Sequence, residues 1–501
     1  MRKLITLLIL SIFVSCTGSH QNAVLHITLA NSKVMSCYVY IPSQPTHGWS
    51  NLTLKDNRTS TQNFKLTRPE FVQLDCSDPS DWEHKHFNYL LYLSPGDDLQ
   101  LTADFNEPGF GIKVSGKGSN NNQPLMSVNE SADLRSFYKD SLPYRVINVI
   151  NAAQKIRESN LEKYIKLYNP SPSYINDWKM SVHYYACDLY YTFKENNRLY
   201  TFDPYYRNFD KWQKIADSLF RVAKLNNDSA LGAFHYDLLQ GWFLEREMEH
   251  FSDQAFLHPE TFYREWYGAD TVEGKKLFTS DRKNFPQEKI INRYFTGRTA
   301  EYLYALLLDH AAKQSNPANI PLIFSHFKQK YPNSEYIAQF RGFVDTTIAK
   351  EKHTLNEKMV FMAQNGTKLN TLNEVLTAMK GKTVLVDMWG TWCGPCREEI
   401  EKHSAAIRAR FKDKRLTYLY IANFDLHNEA QWKKLIAYFD IEGTHMLANK
   451  NLTNDIMTKL KQTGFPTEFI IKKDGTFELS KSGYPIKRDI LFKQLEEDLV
   501  Q

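Results

Sequence analysis

The period of the hydrophobic pattern changes twice along the chain. Between residues 22 and 118 apolar and polar positions alternate: Leu25, Ile27 and Leu29 are spaced by His26 and Thr28, and Leu99, Leu101, Ala103 and Phe105 by Gln100, Thr102 and Asp104. A period of two puts one face of a strand in a core and the other in water. Turn formers punctuate the stretch at Ser94-Pro95-Gly96-Asp97, Glu107-Pro108-Gly109 and Gly116-Lys117-Gly118. The pattern predicts a small antiparallel β-sandwich over 22–118. A polar break at 119–124 follows, and the period then becomes helical. Ile175, Trp178, Val182, Tyr185 and Leu189 fall on one helix face, as do Ile320, Ile323, Phe324 and Phe327, with Pro321 suited to a first turn. An all-α middle domain over 119–352 is predicted, its Tyr and Phe stripes read as core.

From 355 to 501 strand and helix patterns alternate, which predicts an α/β domain. Residues 383–389 read as a buried strand, and 393–411 as an amphipathic helix with Ile400, Ile407 and Phe411 inward. A second strand is expected at 416–422, helices at 428–439 and 452–460, a hairpin at 467–479 around Asp474-Gly475, and a closing helix from Lys487.

Composition changes this picture little. The 501 residues are 42% hydrophobic and 24% charged, as in a globular protein, and the net charge of +5 is spread without a basic stripe, so nucleic acid is not an expected partner. The N-terminus changes it more. Met1-Arg2-Lys3 is a short positive region, and the apolar run 4–14 is too short to span a bilayer but suits a signal-peptide core. With Cys16 following Ser15, the stretch resembles a bacterial lipoprotein signal. That resemblance implies export, removal of the leader and a lipid anchor on Cys16, although Phe13 and Val14 depart from the usual residues. Disulfide chemistry is open to an exported chain.

Of the six cysteines, at 16, 37, 76, 187, 393 and 396, only the last two are close in sequence. Cys37 and Cys76 either pair or stay separate buried thiols, and Cys187 reads as a core residue. For Cys393-Gly394-Pro395-Cys396 a structural zinc site lacks its second cysteine pair. Haem attachment lacks a histidine, because Arg397 follows Cys396. A permanent staple across so short a gap would restrain almost no chain entropy. A redox pair fits. The motif follows a buried strand and opens a helix, whose N-terminus carries partial positive charge and favours a thiolate. Cys393, first and expected to be exposed, is the attacking nucleophile; Cys396, one turn in, resolves. Pro395 stiffens the turn. Asp387 lies inside an apolar strand, where burial raises its pKa and lets it move protons to and from the resolving thiol. Gly464-Phe465-Pro466-Thr467 precedes the predicted hairpin, and Pro466 is a candidate cis proline.

These residues resemble those of a known family. VDMWGTWCGPC looks like the active-site strand and motif of thioredoxin, with six residues from Asp387 to Cys393, and GFPT matches the cis-proline loop. With the additional strand and helix at 443–460 and NGTKLNTLNEV upstream, the last 145 or so residues are similar to the exported thioredoxin-like branch of TlpA and ResA type. The LYLSPGDDLQL segment resembles the β domains that precede such domains in bacterial proteins. KYPNSEY resembles a join between tetratricopeptide-type helices, without a fixed repeat. The resemblance implies catalytic roles for Cys393, Cys396 and Asp387. It implies a substrate-contacting set of Trp392, Gly394, Pro395, Phe465 and Pro466, with Phe465 presenting its backbone. It departs from thioredoxin in lacking a lysine in 416–422 and the usual proline within the motif helix, where Glu398, Glu399 and Glu401 are expected to form a solvated face.

The expected protein is thus a multidomain, lipid-anchored thiol–disulfide oxidoreductase of the bacterial cell envelope or periplasm. Residues 1–16 form its signal and anchor site. It is expected to act as a disulfide reductase on exported disulfide-bearing proteins, supplied with electrons by a membrane thiol donor and needing no metal or other cofactor. The rival readings are an oxidase or isomerase on the same scaffold, and a binding or assembly lipoprotein in which the redox domain is secondary.

Overall fold

The computed structural model describes residues 21–500, apart from 33–35, 42–49, 57, 67, 78–85, 125–131, 139–141 and 201. The leader and Cys16 lie outside the described residues. The chain divides into two compact units, Met1–Glu245 and Arg246–Gln501. Among the described residues no helix is long and apolar enough to cross a membrane.

Among the described residues the first unit begins with eight strands, β1 (Gln21–Ala30), β2 (Ser36–Tyr40), β3 (Ser50–Leu52), β4 (Thr59–Leu66), β5 (Glu70–Ser77), β6 (His86–Leu93), β7 (Asp98–Asp104) and β8 (Lys113–Lys117). They form two four-stranded sheets, in the orders β4-β1-β7-β8 and β3-β2-β5-β6. The alternating residues Leu25, Ile27, Leu29, Leu99, Leu101 and Ala103 point into a shared core with Val72, Leu74 and Phe87. The expected antiparallel sandwich needs one correction, because β1 and β7 run parallel. Parallel neighbours require a long connection, and five intervening strands supply it.

Strands β5 and β6 are buried on both faces. Phe71, Leu90 and Tyr92 pack on the far side against Leu161, Tyr164, Tyr174 and Trp178 of α1 (Pro143–Tyr168) and α2 (Pro172–Tyr200). This accounts for the continuous apolar run of LYL in place of alternation. The polar break is not a loose linker here. Asn122 is buried and pairs with the main chain of the edge strand β6, accepting from Tyr92 N–H at 2.7 Å and donating to Tyr92 O at 2.9 Å. It satisfies an edge that would otherwise be a template for another strand. The unit continues through α3 (Phe202–Arg207) and α4 (Phe209–Val222) into α5 (Phe234–Leu257).

The second unit contains α6 (Pro259–Tyr267), α7 (Thr271–Ser280), α8 (Asn284–Tyr294), α9 (Gly297–Lys313), α10 (Ile320–Lys330) and α11 (Tyr336–Lys350). A mixed sheet follows, built from β9 (Met359–Phe361), β10 (Thr383–Trp389), β11 (Leu416–Asn423), β12 (Gly443–Ala448), β13 (Thr467–Ile471) and β14 (Phe477–Leu479) in the order β14-β13-β10-β11-β12-β9. Its helices are α12 (Leu372–Ala378), α13 (Gly394–Arg410), α14 (Glu429–Tyr438), α15 (Lys450–Leu460) and α16 (Arg488–Val500). Strand β10 is central, parallel to β11 and antiparallel to β13. Val384, Val386 and Met388 face one core, and Leu385 packs on the other side with Leu491 and Leu495 of α16. A capping box at Thr371 and Glu374 starts α12, which periodicity alone left unassigned.

Cys37 and Cys76 stand directly opposite each other on β2 and β5 and are joined by a disulfide. The bridge closes a separation of 39 residues. Replacing both with serine is expected to destabilise the first unit by about 2–4 kcal/mol. Urea unfolding should therefore show an earlier transition for that unit, and an unchanged midpoint would show that the bridge does not restrain the unfolded chain.

Candidate active site

Cys393 and Cys396 are bonded to each other where β10 gives way to α13. Cys393 is the N-cap of α13: its Sγ accepts the Cys396 N–H at 3.2 Å, which gives one of the helix's unpaired donors a partner. Gly394 and Pro395 form the first two helical positions, where a proline's missing N–H is no loss. Both sulfurs belong to a cluster with Trp389, Ile400, Tyr420 and Ala422, against which Phe465 packs. The Phe465–Pro466 peptide is cis.

Cys393 was expected to be exposed, and here the structure differs: Cys393 is 3% exposed and Cys396 1%. The bond draws Cys393 inward, and the turn after α9 covers the motif from outside. Gln314 lies so close to Gly394 that a Cβ there would meet its side chain at 3.4 Å. Arg397 holds that turn in place. The Arg397 guanidinium is buried, and it donates from Nε to Gln314 O and Ser315 O, both at 3.2 Å, and from Nη1 to Thr391 O at 2.5 Å. Burial lowers its pKa to about 10, against the opposing pull of Asp281 and Asp425, so it remains a cation at neutral pH. The turn is also held from behind. Asn284 Nδ2 donates to Asn316 O and Ala318 O, and Asn319 Nδ2 donates to Asp281.

Trp392 is 52% exposed, and its indole N–H donates to Asn423 O at 2.9 Å. Gly390 leaves room for that ring, because a Cβ there would lie 2.5 Å from the indole nitrogen. Trp392, Phe424 and Phe465 form an aromatic ledge, with centroids 5.8–6.2 Å apart. Asp425 fixes the preceding loop by accepting from Thr391 N–H at 2.7 Å and from its hydroxyl at 2.5 Å.

Beneath the motif lies an acidic cluster. Asp387 of β10 stands opposite Glu468 of β13. With Glu399, Ser404 and Arg488 they line a cavity of about 20 Å³, enough for one water molecule. The same cavity touches Ile400, one helical turn beyond Cys396. Asp387 Oδ1 and Glu468 Oε2 are buried without a hydrogen-bond partner. Burial raises the Asp387 pKa to about 7, opposed by the Arg488 charge. Burial, and then the neighbouring Asp387, push Glu468 well above the carboxylate range. Arg488 is ion-paired with Glu399 and lies 3.8 Å from Glu468. The cation that tunes Asp387 thus comes from α16. In β11, where thioredoxin has a lysine, the residue opposite Asp387 is Tyr420.

The structure therefore brings together Asp387, Trp392, Cys393, Gly394, Pro395, Cys396, Phe465 and Pro466 around the end of β10. Glu399 corrects the expected solvated face: it turns inward to Arg488, whereas Glu398 pairs with Lys402 at the surface. Its position three residues after Cys396 placed it on the same helix face, which was the available signal. Sequence reasoning gave no role to Arg397, Asp425, Glu468 or Arg488. Glu468 was detectable as an acid inside the apolar run of β13.

No protein-family model matches the chain. Among known proteins it is 30% identical over 98 residues to the thiol:disulfide interchange protein DsbD of Actinobacillus pleuropneumoniae, a match covering 19% of this chain and 16% of that protein. It is 26% identical over 162 residues to the thiol-disulfide oxidoreductase ResA of Bacillus thuringiensis, covering 32% of this chain and 87% of that protein. Among solved structures, the thioredoxin domain of a thiol-disulfide oxidoreductase from Bacteroides vulgatus is 26% identical, covering 25% of this chain and 84% of that one, with a TM-score of 0.21. The chain thus spans about a sixth of the DsbD relative and most of the ResA relative. Over part of its length it is similar in sequence to thiol–disulfide oxidoreductases.

Two outcomes follow from this geometry. Because folding raises the Asp387 pKa from the ordinary carboxylate range to about 7, it favours the protonated acid. That contribution is complete below about pH 4 and is lost as pH rises through about 7. Asp387→Asn should therefore gain stability over the parent as pH rises through that window, by on the order of a few kcal/mol. Urea unfolding at acid and alkaline pH measures it, and an equal difference at both would show that Asp387 does not titrate there. Arg397→Met leaves three main-chain carbonyls without their donor, a loss of about 1–3 kcal/mol. Amide exchange across 311–319 should accelerate, and unchanged protection would show that the turn is held without Arg397.

Proposed function

We propose that the chain is an exported, lipid-anchored thiol–disulfide oxidoreductase that works as a disulfide reductase. The observation that carries this reading is the bonded Cys393–Cys396 pair at the N-terminus of α13, beside the cis Phe465–Pro466 peptide and above a buried acid. Partial homology to ResA and DsbD supports the same chemistry.

In the reduced state the helix N-terminus favours the Cys393 thiolate. That thiolate attacks one sulfur of a substrate disulfide. The substrate S–S bond breaks, one substrate sulfur leaves as a thiolate, and a mixed disulfide forms on Cys393. Cys396 then loses its proton toward Asp387 and attacks Cys393 Sγ, releasing the second substrate thiol. Two electrons pass to the substrate, and the Cys393–Cys396 bond reforms. A dithiol partner at the membrane returns the pair to the reduced state. Trp392, Gly394, Pro395, Phe465 and Pro466 form the contact surface for the substrate chain. The Gly-Pro dipeptide between the cysteines, shared with reducing thioredoxins, favours the reductive direction. The Cys37–Cys76 bridge supports an oxidising compartment, with Cys16 as the lipid attachment.

The reduction potential of the Cys393–Cys396 pair, equilibrated against defined thiol buffers in a Cys37→Ser/Cys76→Ser background, tests the direction. A value near about −270 mV is expected, and one near about −120 mV would make the protein an oxidant. Cys396→Ser should trap a mixed disulfide with substrate, whereas Cys393→Ser should form none. Absence of a trapped species with Cys396→Ser would sink the nucleophile assignment.

A further inference from the structure

A cleft lined by Trp392 and Arg397, which flank the two cysteines in the chain, has a wall that the redox fold does not supply. About 1010 Å³ in volume, it runs from Thr391, Trp392 and Phe424 on one side to α7 and the turn into α8 on the other. That far wall carries Lys275, Lys276, Arg282 and Lys283, all exposed, and the buried Arg397 adds a fifth cation. Two carboxylates line the cleft, and both are engaged locally. Asp281 caps α8, accepting from the N–H groups of Lys283, Asn284 and Phe285 and from the Asn319 amide. Asp425 accepts from Thr391. Glu273, on the same helix, lies 3.6 Å from Lys276 Nζ with both side chains largely in solvent, where such a pair neutralises little of the field. The wall touches the residue that covers the motif: Lys283 Nζ donates to Gln314 Oε1 at 2.6 Å, and Gln314 lies against Gly394. Opposite the cations stands the aromatic ledge, with Trp392 52% and Phe424 61% exposed.

We infer that this cleft selects polypeptide segments in which a disulfide is flanked by acidic residues and an apolar side chain. The inference rests on the oxidoreductase reading above and names its substrate class. A cleft in which cations outnumber carboxylates attracts segments of the opposite sign and raises the rate of encounter. The ledge takes the apolar residue next to the substrate cysteine, and the lysines and arginines of the wall take the carboxylates. In the step that follows, the Cys393–Cys396 dithiol gives two electrons and two protons to the bound disulfide. The segment leaves as a dithiol, the protein holds the new disulfide, and an external dithiol reductant restores it.

The test uses the full chain, reduced with dithiothreitol and freed of excess, and three disulfide peptides of equal length flanked by aspartates, by lysines or by neutral residues. At about 0.05 M salt the acidic peptide should be reduced about tenfold faster than the basic one. The ratio should fall toward one at about 0.5 M salt and in Lys275→Glu/Lys276→Glu. Because the readout is a ratio within one preparation, loss of folded protein in the variant cancels. If the neutral peptide is reduced while acidic and basic peptides react equally, the substrate class is wrong and the oxidoreductase reading stands. If none of the three is reduced, that reading falls and this one falls with it. A preference that persists in the double variant would place the selectivity elsewhere and overturn the role of the wall.

Discussion

A buried guanidinium is tolerated only when oxygens surround it, and Arg397 obtains its oxygens from two places in the chain. One carbonyl belongs to Thr391, inside the redox motif; the other two, from Gln314 and Ser315, end α9. The residue that follows Cys396 therefore also fastens a helical turn over the redox motif. Orphaned carbonyls at a helix end need donors, and here a charged donor serves a helix other than its own. This contact, together with the Asn284 and Asn319 amides, places Gln314 over Gly394. Lysine at 397 would be a poor substitute, since a single ammonium cannot reach three carbonyls in the fixed directions that a planar fork provides.

The acid cluster follows a different logic. Asp387 and Glu468 face each other across a strand pair, an arrangement that is unfavourable for two charged carboxylates. Burial and mutual repulsion together keep the pair from carrying two charges at neutral pH. The pair thus holds a proton in the cavity that also touches Ile400 of α13. Arg488 limits the shift on Asp387 from the far side while its own charge is shared with Glu399. Strong perturbation by burial, a specific charge partner and a small cavity coincide at one place, which makes the pair a candidate for function.

How much of this was legible in the sequence depended on the range of the interaction. The CxxC motif, the buried strand before it, the hairpin at Asp474-Gly475 and the alternating strands of the first unit are local patterns, and their elements lie where those patterns place them. The parallel pairing of β1 with β7 and the docking of Asn122 on β6 are contacts between segments far apart in the chain, which periodicity does not encode. The site divides in the same way. Cys393, Cys396, Asp387 and Pro466 carry motif spacing, but Arg397 and Arg488 became meaningful only once their partners at 314–315 and 468 were placed. Glu399 was misread because a run of glutamates on a helix usually faces water. Its inward turn needed a cation on α16 that no spacing announces.

The basic wall and the redox motif reinforce each other electrostatically. Cations near a thiol favour its ionised form, and so does a helix N-terminus. Arg397 follows Cys396 directly in the chain, and the lysines of α7 extend positive potential outward to solvent. An acidic segment entering the cleft neutralises part of that potential just as the thiolate is consumed, so attraction of substrate and activation of the nucleophile draw on one field. Once the pair is oxidised no thiolate remains to balance the cations, and the field then holds the acidic product by its carboxylates alone. Release must come from the two new thiols, which free the segment from its covalent link and from the geometry the disulfide imposed. For an acidic segment of the class inferred above, the step that ends a turnover would be departure of the dithiol, which salt would accelerate while slowing capture.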